Sequence, residues 1–270
     1  MKVCCMMMQK DEHRLLDTWL RFYNWLAGPE SIFVWDNGSS SHATIECLKS
    51  AEQKGITVFW DKARPEDYER KNSFVADRIR EFDLAGRFDF YLPLDCDEFL
   101  VVRQGAEVVC DRDAILSSFE RYESADGPLR IAGSYYNIPT PDRGFFFWKE
   151  SKVMFRRGTF ASTDHGFHHG ASISGAPEIE TEFVHLHFQH KPLPTLLEHA
   201  RNKLQLRVKD FSPETLAAYK GPGSHLVKYF EMTEEKYRSA FDLGRAIKLP
   251  QFEAVLNNIG ATYPFLDEFR

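Results

Sequence analysis

Asp95-Cys96-Asp97-Glu98 places three carboxylates in four residues, after the apolar stretch 91–94 and before Phe99-Leu100. In an extended chain, Asp95 and Asp97 point the same way. Carboxylates that close repel one another unless a cation sits between them. Hard oxygen donors suit Mg2+ or Mn2+, ions that usually carry a substrate's phosphates. The apolar run reads as a buried strand ending at Asp95. The acids then fall at a strand's carboxyl end, where open α/β sheets bind ligands. A solvated acidic turn has the same composition, so the motif alone leaves both readings open.

Two histidines offer a further ligand. Residues 182–188 alternate as a strand, which puts His185 and His187 on one face. A neutral imidazole suits Mn2+, and the same pair could equally hydrogen-bond in a core.

The elements that must position these groups follow from periodicity. Residues 1–9 read as a buried strand, and Asp11 as the cap of a helix with Leu15, Leu16, Trp19, Leu20 and Tyr23 on its apolar stripe. Strands are expected over 31–35, 56–60 and 88–94, and helices over 41–53 and 66–82. This βαβαβαβ order implies parallel strands joined by right-handed crossovers. The strand ends at Gln9, Asp36 and Asp95 then gather along one rim. The second half predicts a helix over 111–122, a strand over 129–136, strands around a turn over 144–157 and a polar loop over 162–175. A helix over 193–209, opened by Pro194, precedes a tail of short helices from 213 to 270, read as a cap packed on the first domain.

The 270 residues suit one large α/β domain with an appendage. A net charge of −6 argues against a nucleic-acid binder. Five cysteines, an odd number without a CxxC pair, argue against a disulfide framework and suit a reducing cytoplasm. The apolar start, Val3 to Met8, is too short for a signal sequence or a membrane span, so any membrane contact is expected to be peripheral.

Four segments in order resemble the family-2-type glycosyltransferases. Gln9-Lys10-Asp11-Glu12 with Leu15-Leu16-Asp17-Thr18-Trp19-Leu20 is similar to their K-N-E-x-x-x-L-x-E-W start. Asp36-Asn37-Gly38-Ser39-Ser40 resembles D-N-G-S-[ST]-D-G-T. Asp95-Cys96-Asp97-Glu98-Phe99 looks like D-x-D-E-F, and His185-Leu186-His187-Phe188 like the later histidine motif. The chain departs from the pattern at Asp11, where the family has Asn, and at Ser41-His42-Ala43, which replaces D-G-T.

The resemblance implies a GT-A fold: a mostly parallel central sheet flanked by helices, with a nucleotide-sugar half over 1–100, an acceptor half over 101–210 and a helical extension over 211–270. It implies inverting transfer of a sugar from a nucleoside diphosphate donor, UDP by default, to an acceptor hydroxyl, assisted by Mn2+ or Mg2+. The acceptor would be a glycan, a lipid-linked glycan or a protein. On this reading Asp97 is the direct metal ligand, with His187 or His185 as a further one. Asp95 belongs to the ribose or the metal's water shell, with Glu98 behind it. Gln9, Glu12, Asp36 and Asn37 face the nucleoside. Lys71 or Arg78 could reach the base or phosphates, and Lys152, clustered with Arg156 and Arg157, could offset diphosphate charge. Trp148 and the run Phe145-Phe146-Phe147 could form a sugar platform or a buried strand. Inversion needs a general base. Asp164 is the first choice, Asp142 and Glu180 follow, and His165, His168 and His169 share its loop.

The same acids could serve a nucleotidyltransferase or phosphohydrolase, but neither a glycine-rich phosphate loop nor a dense HD or DxDx[TV] cluster is present. A non-catalytic nucleotide- or carbohydrate-binding module is the third reading.

Overall fold

The run Val-Cys-Cys-Met-Met-Met is apolar without alternation, the pattern of a strand covered on both faces. It forms β1 (Val3–Gln9), buried at every position. β2 (Ile32–Asp36) is buried throughout, β3 (Thr57–Phe59) is half-buried, and β4 (Phe90–Leu94) is again fully buried. β1 pairs in parallel with both β2 and β4, and β2 with β3, giving the order β4-β1-β2-β3. The parallel sheet expected from the sequence is therefore present. Strand order reverses between β1 and β4, the switch point at which a crevice opens outside the carboxyl ends. The structure is a computed structural model and describes residues 1–270 except Asp142, Leu206, Asp242, Asp267, Phe269 and Arg270.

Helices α1 (His13–Ala27), α2 (His42–Gln53), α3 (Pro65–Tyr68) and α4 (Lys71–Leu84) connect these strands. α1 buries the predicted stripe and stops at Gly28, whose φ of 86° suits glycine. Asp11 does not cap it. Glu12 is the N-cap residue, without a side-chain cap, and Asp11, at φ 54°, instead accepts the N–H groups of Ser40 and Ser41. Asp11 thus ties the end of β1 to the loop after β2. The single helix expected over 66–82 is two, because the chain turns between Tyr68 and Lys71.

The next stretch carries β5 (Glu98–Gln104), β6 (Glu107–Val109), α5 (Arg112–Glu120), β7 (Leu129–Arg130), β8 (Ser134–Asn137), β9 (Gly144–Trp148), β10 (Val153–Arg156), β11 (Phe160–Thr163), β12 (Gly170–Ser172), β13 (Ile179–Glu180) and β14 (Phe183–His187). β10 runs antiparallel to β4 and extends the first sheet to β13-β7-β10-β4-β1-β2-β3. A second sheet carries the order β8-β14-β5-β6. Three expectations change here. The strand expected over 129–136 is β7 in one sheet and β8 in the other. β9 and β10 are not a hairpin, since β10 pairs with β4 and β7. The loop expected over 162–175 contains part of an antiparallel ribbon, β11 with β12.

Two compact units divide the chain. The first comprises 1–136, 147–187 and 249–264. One of its cores gathers Met6, Phe33, Val75, Ile79, Tyr91 and Phe155, and α9 (Pro250–Asn258) adds Phe252 against Phe22 and Phe99. The second comprises 137–146, 188–248 and 265–270. It holds α6 (Leu193–Leu204), α7 (Pro213–Ala218), α8 (Glu234–Ser239) and β15 (Ile247–Lys248), which pairs with the start of β9. α6 ends five residues earlier than periodicity suggests. All five cysteines are free thiols, and no helix among the described residues is long and apolar enough to cross a membrane.

Candidate functional site

The carboxyl ends of β1 and β2 are locked together by their own polar residues. Gln9 and Asp36 are register partners. Gln9 Nε2 donates to Asp36 Oδ1 at 2.6 Å, and the same carboxylate accepts Ser39 Oγ at 2.5 Å and Ser39 N at 2.9 Å. Glu12 N donates to Gln9 Oε1 at 3.2 Å. Asn37 Nδ2 donates to the carbonyls of Lys62 and Arg64 at 2.7 and 2.8 Å. Gly38 has φ 70°, and a Cβ there would lie 2.4 Å from Ala63 O. The Asp-Asn-Gly-Ser turn is therefore pinned onto the loop after β3. Beside it opens a cleft of about 420 Å3 lined by Asp36, Ser39, Lys49, Glu52 and Trp60, within the size range of small-molecule sites. Trp60, at the edge of this cleft, donates its indole N–H to Glu52 at 3.1 Å. Trp60 follows β3 as Asp36 ends β2, and that strand-end position is the sequence signal by which it could have been found.

The acidic segment is a turn, not an extension of β4. Glu98 N donates to Asp95 O, and Asp95 N donates to Glu98 Oε2. Asp95 and Asp97 consequently face different partners, contrary to the expectation for an extended chain. Asp95 Oδ1 accepts Lys71 Nζ at 2.9 Å, and its Oδ2 accepts Lys152 Nζ. Lys152 also pairs with Glu98 Oε1 at 3.0 Å. Both lysines are buried, and the Phe167 ring lies 4.9 Å from Lys71 Nζ and 5.7 Å from Lys152 Nζ. Phe167 has φ 60°, a conformation costly for an aromatic residue. Burial alone would raise the Asp95 pKa, but the Lys152 and Lys71 charges outweigh it and hold the carboxyl well below its usual range. Burial likewise disfavours a charged Lys152, and the charges of Asp95 and Glu98 reverse that and push its pKa up. Glu98 is pushed up by burial, against the pull of Lys152. Contrary to the expectation of a basic cluster with Arg156 and Arg157, Lys152 turns to Asp95 and Glu98. Arg156 bonds the Ala125 carbonyl and Arg157 faces Asp89.

His187 is the cross-strand partner of Glu98, and His185 that of Leu100. His187 Nε2 lies 3.5 Å from Asp97 Oδ1, and its Nδ1 lies 3.9 Å from Glu98 Oε1. Burial opposes a charge on His187, but Asp97 and Glu98 raise its pKa overall. His185 is fully buried, and neither of its ring nitrogens has a hydrogen-bond partner. Its pKa is lowered by burial, then by Lys152 and His187. The spacing of Asp97 and His187 is close to the ~3 Å edge of an octahedron with ~2.1 Å bonds. These two groups fit adjacent positions on one divalent cation. Among the described residues no three His, Cys, Asp or Glu side chains assemble to hold an ion alone. A cation here would draw its remaining ligands from water and a substrate's phosphates, the usual arrangement for Mg2+.

Asp164 and His165, expected from the sequence to serve the acceptor, lie in the turn joining β11 to β12. Asp164 Oδ1 accepts the His169 N–H at 2.9 Å, closing that turn. His165 Nε2 is 3.1 Å from Tyr68 O, and its ring meets the Tyr68 ring at 5.4 Å. The Tyr68 ring in turn lies 5.4 Å from Lys71 Nζ. His169 faces Glu178 at 3.6 Å, and Glu180 pairs with Arg130. Arg78 lies over Phe59 and pairs with Glu81, and among the described residues these contacts hold it on the α4–β3 side, not at the acidic turn. Asp142 lies outside the described residues. Thus one cluster joins Asp95, Asp97, Glu98, Lys71, Lys152, His185 and His187, and a second joins Gln9, Asp36 and Asn37 at neighbouring strand ends.

No protein-family model matches the chain, and no curated protein matches it. Among solved structures, S. aureus TarS 1-349 is similar over 95% of this chain and 78% of its own, at 9% identity and a TM-score of 0.41. Glucosyl-3-phosphoglycerate synthase from Mycobacterium tuberculosis, in complex with phosphoglyceric acid, is similar over 72% and 74%, at 12% identity and 0.36. A cytidylyltransferase from Leptospira borgpetersenii is similar over 58% of this chain at 12% identity and 0.32, and the match spans 60% of that protein. Likeness this low assigns no family.

Proposed function

We propose that this chain is a metal-assisted glycosyltransferase of GT-A architecture. It moves a sugar from a nucleoside diphosphate donor, UDP by default, to a hydroxyl of a glycan, lipid-linked or protein acceptor. The observation that carries the reading is the pairing of Asp97 with His187 outside the carboxyl end of β4, next to the switch point of a parallel sheet. Mn2+ or Mg2+ held there would act as a Lewis acid toward the departing diphosphate.

The remaining residues divide the work around that pair. The cleft beside Asp36 receives the nucleoside, with Trp60 offering a stacking face. Asp95 acts through Lys71 and Lys152, holding both ammonium groups beside the acidic turn, where they add positive charge for a diphosphate. This departs from the reading of Asp95 as a metal or ribose ligand. His185 supports the strand behind His187. Inversion requires that a base take the acceptor's proton as the hydroxyl attacks. We assign that base to the turn carrying Asp164 and His165.

The test is donor turnover. Release of UDP from UDP-glucose, UDP-galactose and UDP-N-acetylglucosamine is measured with and without Mn2+, in the wild-type chain and in Asp97→Ala. Mn2+-dependent turnover that falls at least about 100-fold in the variant supports the proposal, the scale expected when charge stabilisation at a reacting group is removed. Turnover unchanged by the substitution sinks it.

A further inference from the structure

One row of side chains crosses four strands and leads out of the charged cluster. Glu98 on β5 pairs across to His187 on β14, and His187 pairs with Tyr136 on β8. The Tyr136 ring stands edge-on to the His187 ring at 4.9 Å. On β9, the Trp148 indole lies against Tyr136 at 6.2 Å, with planes 29° apart. Adjacent strands are about 4.8 Å apart, so the row ends roughly 10 Å from His187.

Burial changes abruptly along the row. Glu98, His187 and Tyr136 are 1%, 7% and 8% exposed, whereas Trp148 is 56% exposed. Tryptophan is on average a highly buried residue. Tyr136 already covers the side of the indole nearest the core, so packing does not account for its open face. The next residues are polar. Glu150 is about one-third exposed, and its Oε1 lies 3.9 Å from Nε2 of His168, whose Nδ1 bonds the Ser151 carbonyl at 2.9 Å. A broad, open aromatic face, followed two residues along the chain by a carboxylate that faces an imidazole, matches a pyranose, which presents C–H groups on its faces and hydroxyls around its edge.

The geometry points to Trp148 as the platform of an acceptor subsite that holds a pyranose ring of a carbohydrate chain. The inference rests on the glycosyl-transfer reading for its role, though not for the binding itself. The distance from His187 to Trp148 leaves room for the donor's sugar between cation and acceptor, with reacting atoms about 3 Å apart in line with a near-attack geometry. A nucleobase could also stack on an exposed indole. The Trp60 cleft beside Asp36 is the better place for it, because it lies among the nucleotide-side residues.

The experiment probes the full chain against an array of defined oligosaccharides, as wild type, Trp148→Phe and Trp148→Ala. Thermal stabilisation by UDP with Mn2+ is followed in parallel as the readout of folding and of the donor site. The expected result is binding to one structural class of glycan, weakened about tenfold in Trp148→Ala and largely retained in Trp148→Phe, the scale of one aromatic contact. The UDP response should be equal in all three. The inference is overturned if no glycan binds, if the alanine variant binds as tightly as wild type, or if the substitution removes the UDP response instead. Absence of a UDP response in wild type contradicts the proposed function alone. Trp148-dependent glycan binding would then still support the subsite.

Discussion

At the residue scale, charge pairing decides the roles inside the Asp-Cys-Asp-Glu turn. Asp95 is the counter-ion of two buried lysines, while Asp97 turns to His187. The segment itself was legible because its acids follow an apolar run. Its division of labour was not, because Lys71 and Lys152 lie 24 and 57 residues away. A buried ammonium held by two carboxylates is costly to remove on one side only. Lys152→Met should therefore destabilise the fold by about 3–5 kcal/mol, read from urea unfolding. A loss under about 1 kcal/mol would mean that Glu98 is protonated or hydrated without its partner, and the cluster would not be an ion-paired one. Asp11 teaches a similar lesson. Its type and place suggest a helix cap, but the loop after β2 offers it two backbone N–H groups.

At the element scale, the strand ends are fixed by short turns whose backbone geometry is demanding. Gly38 combines a positive φ with a carbonyl 2.4 Å from where a Cβ would stand, whereas Gly105 has φ 63° and open space around it. Gly105→Ala then carries only the conformational cost of about 1 kcal/mol, and Gly38→Ala should cost about 2–3 kcal/mol because Ala63 must also move. Thermal unfolding of the two variants measures the difference. Equal losses would show that the 62–64 loop yields freely and does not fix the cleft. The elements β1 to β4 were readable because unbroken apolar strands alternate with amphipathic helices. The exchange between sheets at 131–133 was not. Residues 129–136 carry Leu129, Ile131, Ala132, Tyr135 and Tyr136 with no strong turn signal between them, and partners far along the chain decide which half joins which sheet. The ribbon β11–β12 was hidden for another reason: its Ser, Thr, Gly and His residues have loop composition, and its pairing depends on the turn closed by Asp164.

At the scale of the whole molecule, the parallel sheet brings Gln9, Asp36 and the acidic turn to one rim, and the second sheet delivers His187 to the same turn from the other half of the sequence. A divalent cation held by only two protein ligands should bind weakly alone and far better with a diphosphate that completes its shell. Thermal shift with nucleoside diphosphates measures that coupling, since a ligand that binds only the folded state raises apparent stability. UDP, GDP, CDP, ADP and dTDP are compared with and without Mn2+, in wild type, Asp97→Ala and His187→Ala. One diphosphate, UDP by default, should stabilise the wild-type chain far more with Mn2+ than without. Each substitution should remove the metal-dependent part. Stabilisation that is the same with and without Mn2+, or that survives both substitutions, would contradict that coupling.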